Sequence, residues 1–83
     1  EVEETMRILA PIMSSKEQVT TLCSFLLDAG ADFQTCGDQL QILKNTVKYR
    51  IKKISETLGY NVTRFSESYE CYVACMIYRL ISL

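Results

Sequence analysis

The chain has no histidine and no tryptophan, and its 83 residues include only one proline and three glycines. It also lacks a Gly-x-Ser-x-Gly elbow and a glycine-rich phosphate loop, so the usual groups for acid–base, nucleophilic and phosphate chemistry are missing. We therefore expect no enzymatic activity, no catalytic residue and no cofactor. The scarcity of turn-forming residues favours helices over strands.

A strong charge of one sign is also absent, since the formal net charge is -1. Phosphate binding requires a basic excess gathered on one face of the protein. One basic cluster occurs in the chain, and on a helix its members spread around the polar side instead of forming one stripe. We interpret it as a solvated face, in preference to an anion-binding or membrane-surface patch, and predict no nucleic-acid partner. The cluster consists of Lys44, Lys48, Arg50, Lys52 and Lys53.

Apolar residues recur at helical spacing along most of the chain and predict four helices in a single domain, residues 1–83. Pro11 is expected to end the first helix. Glu17 and Gln18 follow Ser14 and Ser15 at the spacing of a capping box, which marks the start of the second helix. The predicted helices run from about Val2 to Ala10, from a cap at Ser14 or Ser15 to Gly30, from a cap at Asp38 to Gly59, and from a cap at Thr63 or Ser66 towards Leu83.

Four cysteines in so short a chain predict two disulfides formed in an oxidising compartment, with free buried thiols as the alternative. Two cysteines four residues apart in one helix do not easily bond to each other, so Cys71 and Cys75 are expected to reach different segments. The pairing of Cys23 with Cys75 and Cys36 with Cys71 is preferred over the pairing of Cys23 with Cys71 and Cys36 with Cys75. Twelve residues separate Cys23 from Cys36, which argues against a four-thiolate zinc site, and we expect no metal.

The fold class predicted from these features is all-α, a small four-helix bundle-like domain stapled by two disulfides. Disulfides imply a secreted, extracellular protein, although Glu1, Glu3 and Glu4 have the wrong charge for a signal peptide, so a leader would already have been removed. The sequon that begins at Asn61 permits glycosylation and is weakly consistent with export.

The last predicted helix has little polar surface. One face carries its main apolar stripe, and a second apolar line points elsewhere, which indicates burial on more than one side. Either this helix is the centre of the bundle, or the second line is covered by a partner, for which a second copy of the chain is one candidate. A transmembrane role is excluded by the short length and by Arg79. The predicted partner-binding residues are Ala74, Ile77, Tyr78 and Ile81.

Three functions are compatible with this architecture. The first is a small secreted binding protein, toxin-like, effector or signalling, that recognises a protein through its C-terminal helix. The second is a carrier whose core holds an apolar small molecule or lipid against Met6, Met13 and Met76. The third is a structural helical unit of a larger extracellular protein.

Overall fold

The start and end of each helix follow from local chemistry. A computed structural model describes the backbone of residues 2–82 and the side chains of residues 3–64 and 68–82. Within these residues the chain is helical and has no strand, so the all-α class is confirmed. The α-helices are α1 (Val2–Leu9), α2 (Lys16–Cys23), α3 (Phe33–Leu40), α4 (Lys44–Leu58) and α5 (Phe65–Ile81).

Two short helical turns extend the first two helices. A 3-10 turn, Ala10–Ile12, contains Pro11 and ends α1 near the predicted position. The α2 helix continues into a π turn, Ser24–Asp28. Beyond this turn Gly30 adopts a left-handed conformation with φ of 61°, which a glycine accepts without steric cost.

The two capped helices, α2 and α3, show how side chains satisfy free backbone amides. Of the two candidate serines, Ser15 is the cap of α2, and its hydroxyl accepts a hydrogen bond from the Gln18 amide at 3.2 Å. Asp32 caps α3 and accepts from the Thr35 amide at 2.8 Å and from the Thr35 hydroxyl at 2.7 Å. These bonds lower the pKa of the Asp32 carboxyl, because they favour its charged form.

The predicted third helix is wrong in its first half. Asp38 is not a cap but lies inside α3, and Gly37 is a buried residue of that helix, not a break before the next one. The break comes at Gln41, which is left-handed with φ of 60°. The break therefore occurs four residues later than predicted, and it separates α3 from α4.

Among the side chains that the structure describes, the core lies between the helices and is mainly aliphatic, and the buried ring of Phe25 packs on Phe33 at a centroid distance of 5.0 Å. The α1 helix packs on α5, α3 on α4, and α2 on both α4 and α5. The radius of gyration is 11.6 Å, close to the roughly 12 Å expected for a compact chain of this length. The largest fully buried apolar side chains are Phe25, Leu9, Ile12, Leu22, Ile54, Val47 and Val62.

The main apolar stripe of α5, which includes Tyr69, Met76 and Leu80, does not face the core as predicted from its helical spacing. Tyr69 and Leu80 are 57% and 68% exposed. Cys71, Ala74 and Cys75 are buried instead. The thiols and the small alanine let neighbouring helices approach closely, so the larger apolar side chains of α5 are left at the surface.

All four cysteines are free, buried thiols, so the predicted disulfides and both predicted pairings are wrong. Interaction with the thiols of Cys23 and Cys71 raises the pKa of Cys75, and the same interaction lowers the pKa of Cys23 and of Cys71. Cys36 lies in α3, where its thiol donates to the Ser24 hydroxyl at 3.9 Å. The cysteines therefore act as small core residues, and the core is closed without covalent cross-links.

Candidate functional site

The corner between α3 and α4 is closed by the backbone. The turn of residues 41–43 joins the two helices, and the Ile42 amide donates to the Gly37 carbonyl at 2.9 Å. A Cβ atom at Gly37 would lie 2.8 Å from the Ile42 carbonyl oxygen, a distance that real Cβ atoms essentially never show. The absence of a side chain at Gly37 thus lets the turn lie directly against α3 and fixes how α4 leaves it.

The inner face of α4 anchors the helix in the core. Val47 and Ile54 are fully buried, and Ile51 is 2% exposed. These residues are separated by four and three positions, so they form one stripe along the helix. The opposite face is consequently turned to solvent.

The outer face of α4 carries a line of exposed polar and aromatic side chains at helical spacing. Asn45, Tyr49 and Lys52 follow one another at intervals of four and three residues, and Tyr49 is 63% exposed. Lys48 and Lys53 are exposed on either side of this line. We call Asn45, Tyr49 and Lys52 the outer line.

Two of the flanking lysines lie near aromatic rings. The Lys48 ammonium is 5.7 Å from the ring centroid of Phe33 in α3, and the Lys53 ammonium is 6.0 Å from that of Tyr49. Lys53 also lies 4.0 Å from the carboxylate of Glu56. Ring contacts at these distances restrain long side chains but leave the charge accessible to another anion.

Arg50 differs from the other four basic residues of the cluster because it points towards α2. Its guanidinium donates to the Thr21 hydroxyl at 3.2 Å and lies 3.0 Å from the Glu17 carboxylate. The Arg50 side chain is 24% exposed, and Thr21 is buried. Arg50 therefore ties α4 to α2, whereas the four lysines remain available at the surface.

The predicted partner-binding residues of α5 do not form one exposed surface. Ala74 is buried, Ile77 and Tyr78 are half-buried, and Ile81 is 52% exposed. Ala74 and Ile77 line a shallow groove between α5 and α1 that Ile8 borders on the other side. These residues thus largely belong to internal helix packing.

The sequon at Asn61 lies in the connection between α4 and α5. The Asn61 side-chain oxygen accepts from the Thr63 amide at 2.9 Å and from the Thr63 hydroxyl at 2.6 Å, which is an Asx turn. This interaction gives the sequence Asn-Val-Thr a local structural role.

The described residues show no feature of a metal site, a membrane span or a methionine-lined cavity. No group of three or more cysteine or acidic side chains among them is arranged to hold a metal ion. Among these residues no helix has the length and apolar character needed to cross a bilayer. Met6 and Met76 are 50% and 41% exposed and so lie at the surface instead of lining an internal cavity.

Most of the chain matches a known protein family. The family model described as the PucR C-terminal helix-turn-helix domain matches residues 18–77, well over half of the 83 residues. No curated protein and no solved structure matches the chain. The matched segment contains α3, the turn and α4 in full.

This match corrects the predicted function and partners. A helix-turn-helix is a DNA-binding unit, so the prediction of no nucleic-acid partner is wrong. The prediction of a secreted, toxin-like, effector or signalling protein that binds through its C-terminal helix is wrong for the same reason. The carrier and the extracellular structural unit are overturned by the same match. The extracellular location is wrong as well, because DNA lies inside the cell. The glycosylation predicted at Asn61 presupposed export and loses its basis.

The sequence did contain a signal for this site. A short helix, a three-residue turn and a longer helix rich in lysine follow one another between Phe33 and Leu58. Two features concealed it. The turn has Gln41 in the left-handed position that a glycine usually marks, and the five basic residues spread around the polar side of a helix, a pattern that we interpret from the sequence alone as a solvated face.

Proposed function

We propose, from the premise that this chain belongs to the family of PucR C-terminal helix-turn-helix domains, that it binds double-stranded DNA and places α4 in the major groove. The observation that carries this proposal is the outer face of α4, which projects from a helix–turn–helix corner with four exposed lysines. In this arrangement α3 is the first helix, which crosses the DNA backbone, and α4 is the recognition helix.

The rigidity of the corner supports this assignment. A recognition helix has to present its side chains to the groove in a fixed orientation, since base contacts depend on short hydrogen bonds. The close approach of Gly37 to the turn and the Arg50 contacts with Glu17 and Thr21 hold α4 against α3 and α2. The Gly37 contact precedes α4, and Arg50 lies on the side of α4 that faces away from the outer line.

The distribution of charge also supports DNA binding. Phosphate contacts supply most of the affinity of a DNA-binding domain, and lysines supply them as point charges. Lys44, Lys48, Lys52 and Lys53 are exposed on α4, and within that helix Glu56 is the single acidic residue. The net charge of -1 is therefore an average that conceals a basic helix.

The beginning of α4 is compatible with a phosphate nearby. Unlike α2 and α3, α4 starts at Lys44 without a side-chain cap, because its first flanking residue is Leu43. Leu43 is 77% exposed. Amide groups in the first turn of an uncapped helix point at solvent or at an anion, and DNA phosphates frequently occupy such positions.

The proposal is tested by measuring binding of the full chain to a fluorescent DNA duplex of mixed sequence across a range of salt concentrations. We expect binding that weakens as salt rises. In Lys52→Ala, the slope of log K against log salt should decrease by about 0.9 if that lysine neutralises one phosphate.

The matched control is Arg7→Ala, which removes the same charge from α1, outside the segment that matches the family. Its salt slope should equal that of the unmodified chain. Absence of salt-dependent duplex binding, or equal effects of Lys52→Ala and Arg7→Ala, would contradict the proposal.

A further inference from the structure

The chemistry of the outer line indicates which base pairs α4 recognises. Asn45 lies in the first turn of α4, and Tyr49 lies one turn further along the same face. Both are exposed. The recognition helix of a helix-turn-helix contacts base edges with its N-terminal residues, and these two side chains occupy that part of α4.

Asn45 has an unused pair of hydrogen-bonding groups. In the described part of the chain its exposed side-chain amide has no hydrogen-bond partner. An asparagine amide offers one acceptor and two donors in one plane. This set matches the N6 donor and N7 acceptor that adenine presents in the major groove.

Tyr49 presents an apolar ring at the same surface. The nearby Lys53 ammonium, 6.0 Å from the ring centroid, restrains the ring on the outer side of α4. In the major groove the one apolar group on a base edge is the C5-methyl of thymine, and aromatic side chains contact it. The four residues from Asn45 to Tyr49 advance about 6 Å along the helix, which corresponds to one or two base-pair steps.

We propose, resting on the DNA-binding function above, that Asn45 and Tyr49 are specificity-determining residues. Asn45 makes a bidentate contact with an adenine, and Tyr49 packs on the methyl group of a thymine one or two steps away. The ligand is B-form DNA with A·T pairs at these two positions. Duplex RNA is a poor ligand, because its deep, narrow major groove does not admit side chains and its uracil lacks the methyl group.

The first stage of the test selects duplexes from a randomised DNA pool with the full chain and measures affinities for the selected sequence. At the adenine position, 7-deazaadenine removes the N7 acceptor of one hydrogen bond. At the thymine position, uracil removes the methyl group alone. We expect the affinity to be about 5- to 150-fold higher with adenine than with another base at the first position. At the second position we expect it to be about fourfold higher with thymine than with uracil.

The second stage uses variants that separate the two contacts. Asn45→Ala should lose the preference at the adenine position and keep its sensitivity to uracil. Tyr49→Ala should lose the sensitivity to uracil and keep the adenine preference, while Tyr49→Phe should keep both. The matched control is Gln34→Ala, which removes an exposed amide of α3 that donates to Asp38 at 3.0 Å, and it should leave both preferences unchanged.

The outcomes distinguish the inference from the function on which it rests. If the chain binds DNA with the expected salt dependence but Asn45→Ala selects the same sequence as the unmodified chain, the inference is wrong and the function stands. If the chain binds no duplex at any salt concentration, the function is wrong. Equal affinity for an RNA duplex of the same sequence would also overturn the inference, since the methyl group could then contribute nothing.

Discussion

Ser15 shows what one hydroxyl contributes at the residue scale. It accepts a hydrogen bond from the Gln18 amide, whereas the adjacent Ser14 is exposed and caps nothing. Ser15→Ala should lower the free energy of unfolding by about 1 kcal/mol, because the amide loses its partner. Ser14→Ala is the matched control and should stay within about 0.5 kcal/mol of the parent in urea unfolding. Equal losses in the two variants would contradict the assignment of the cap.

Asp28 and Arg79 join the π turn to α5 through two charged hydrogen bonds, of 2.6 and 3.0 Å. These bonds from Arg79 lower the pKa of Asp28 below its ordinary value of about 3.9. Because the pKa is lower in the folded state, the contribution to stability is full above that value and is lost as the pH falls through the folded pKa.

Asp28→Asn should therefore destabilise the protein at neutral pH and lose this effect in acid. Both partners are over 40% exposed, so the difference at pH 7 should not exceed about 1 kcal/mol. Urea unfolding of the two proteins between pH 7 and pH 2.5 measures the change, and the two stabilities should begin to converge as the pH falls below about 4. A difference that grew towards low pH would contradict the assigned pairing.

At the scale of elements, the turn between α3 and α4 depends on a strained residue. Gln41 is left-handed with φ of 60°, a conformation that costs a residue with a side chain roughly 1–2 kcal/mol. Gln41→Gly should raise the free energy of unfolding by about 0.5–1 kcal/mol, since the relief exceeds the entropy that glycine adds to the unfolded chain.

The control for this prediction is Lys52→Gly, which places a glycine in the exposed middle of α4. It should lose roughly 0.5–1 kcal/mol, because glycine is a poor helix former. Thermal or urea unfolding of both variants decides the matter. A loss of stability in Gln41→Gly would show that its left-handed backbone carries no strain.

Helix boundaries can be predicted from the sequence where neighbouring residues determine them, and cannot be predicted where a tertiary contact does. The start of α2 was predicted because a serine cap and its reciprocal residues are adjacent in the chain. The separation of α3 from α4 was missed because Gly37 is required by a tertiary contact with Ile42, which a periodic pattern does not reveal. Leu43 matched the apolar spacing of α4 and is nevertheless 77% exposed. The faces of α5 were misassigned for a similar reason, since the thiols of Cys71 and Cys75 take the buried positions.

At the scale of the whole molecule, Arg50 links the basic helix to the rest of the fold. Arg50→Ala should lower the free energy of unfolding by roughly 1–3 kcal/mol, since the buried hydroxyl of Thr21 loses its hydrogen-bond partner. Its effect on DNA should differ from that of Lys52→Ala, because the Arg50 charge is already held by Glu17. We expect the salt slope of duplex binding to be unchanged in Arg50→Ala under conditions where the variant is folded.

Two measurements on the same proteins check this expectation. In urea unfolding, the free energy of unfolding of Arg50→Ala should be well below that of Lys52→Ala. In duplex binding, the salt slope should decrease in Lys52→Ala and stay unchanged in Arg50→Ala. A reduced salt slope with unchanged stability in Arg50→Ala would show that Arg50 contacts phosphate instead of α2.

The close approach of Gly37 to the turn has a consequence for mutational tolerance. A saturation library at this one codon, selected for folded protein by resistance to protease, should return almost only glycine, because even a methyl group collides with the Ile42 carbonyl oxygen at 2.8 Å. The same experiment at the exposed neighbour Asp38 should return many amino acids. The exposed side chains of α4 could therefore be substituted extensively by engineering, whereas Gly37 behind the turn has to remain glycine.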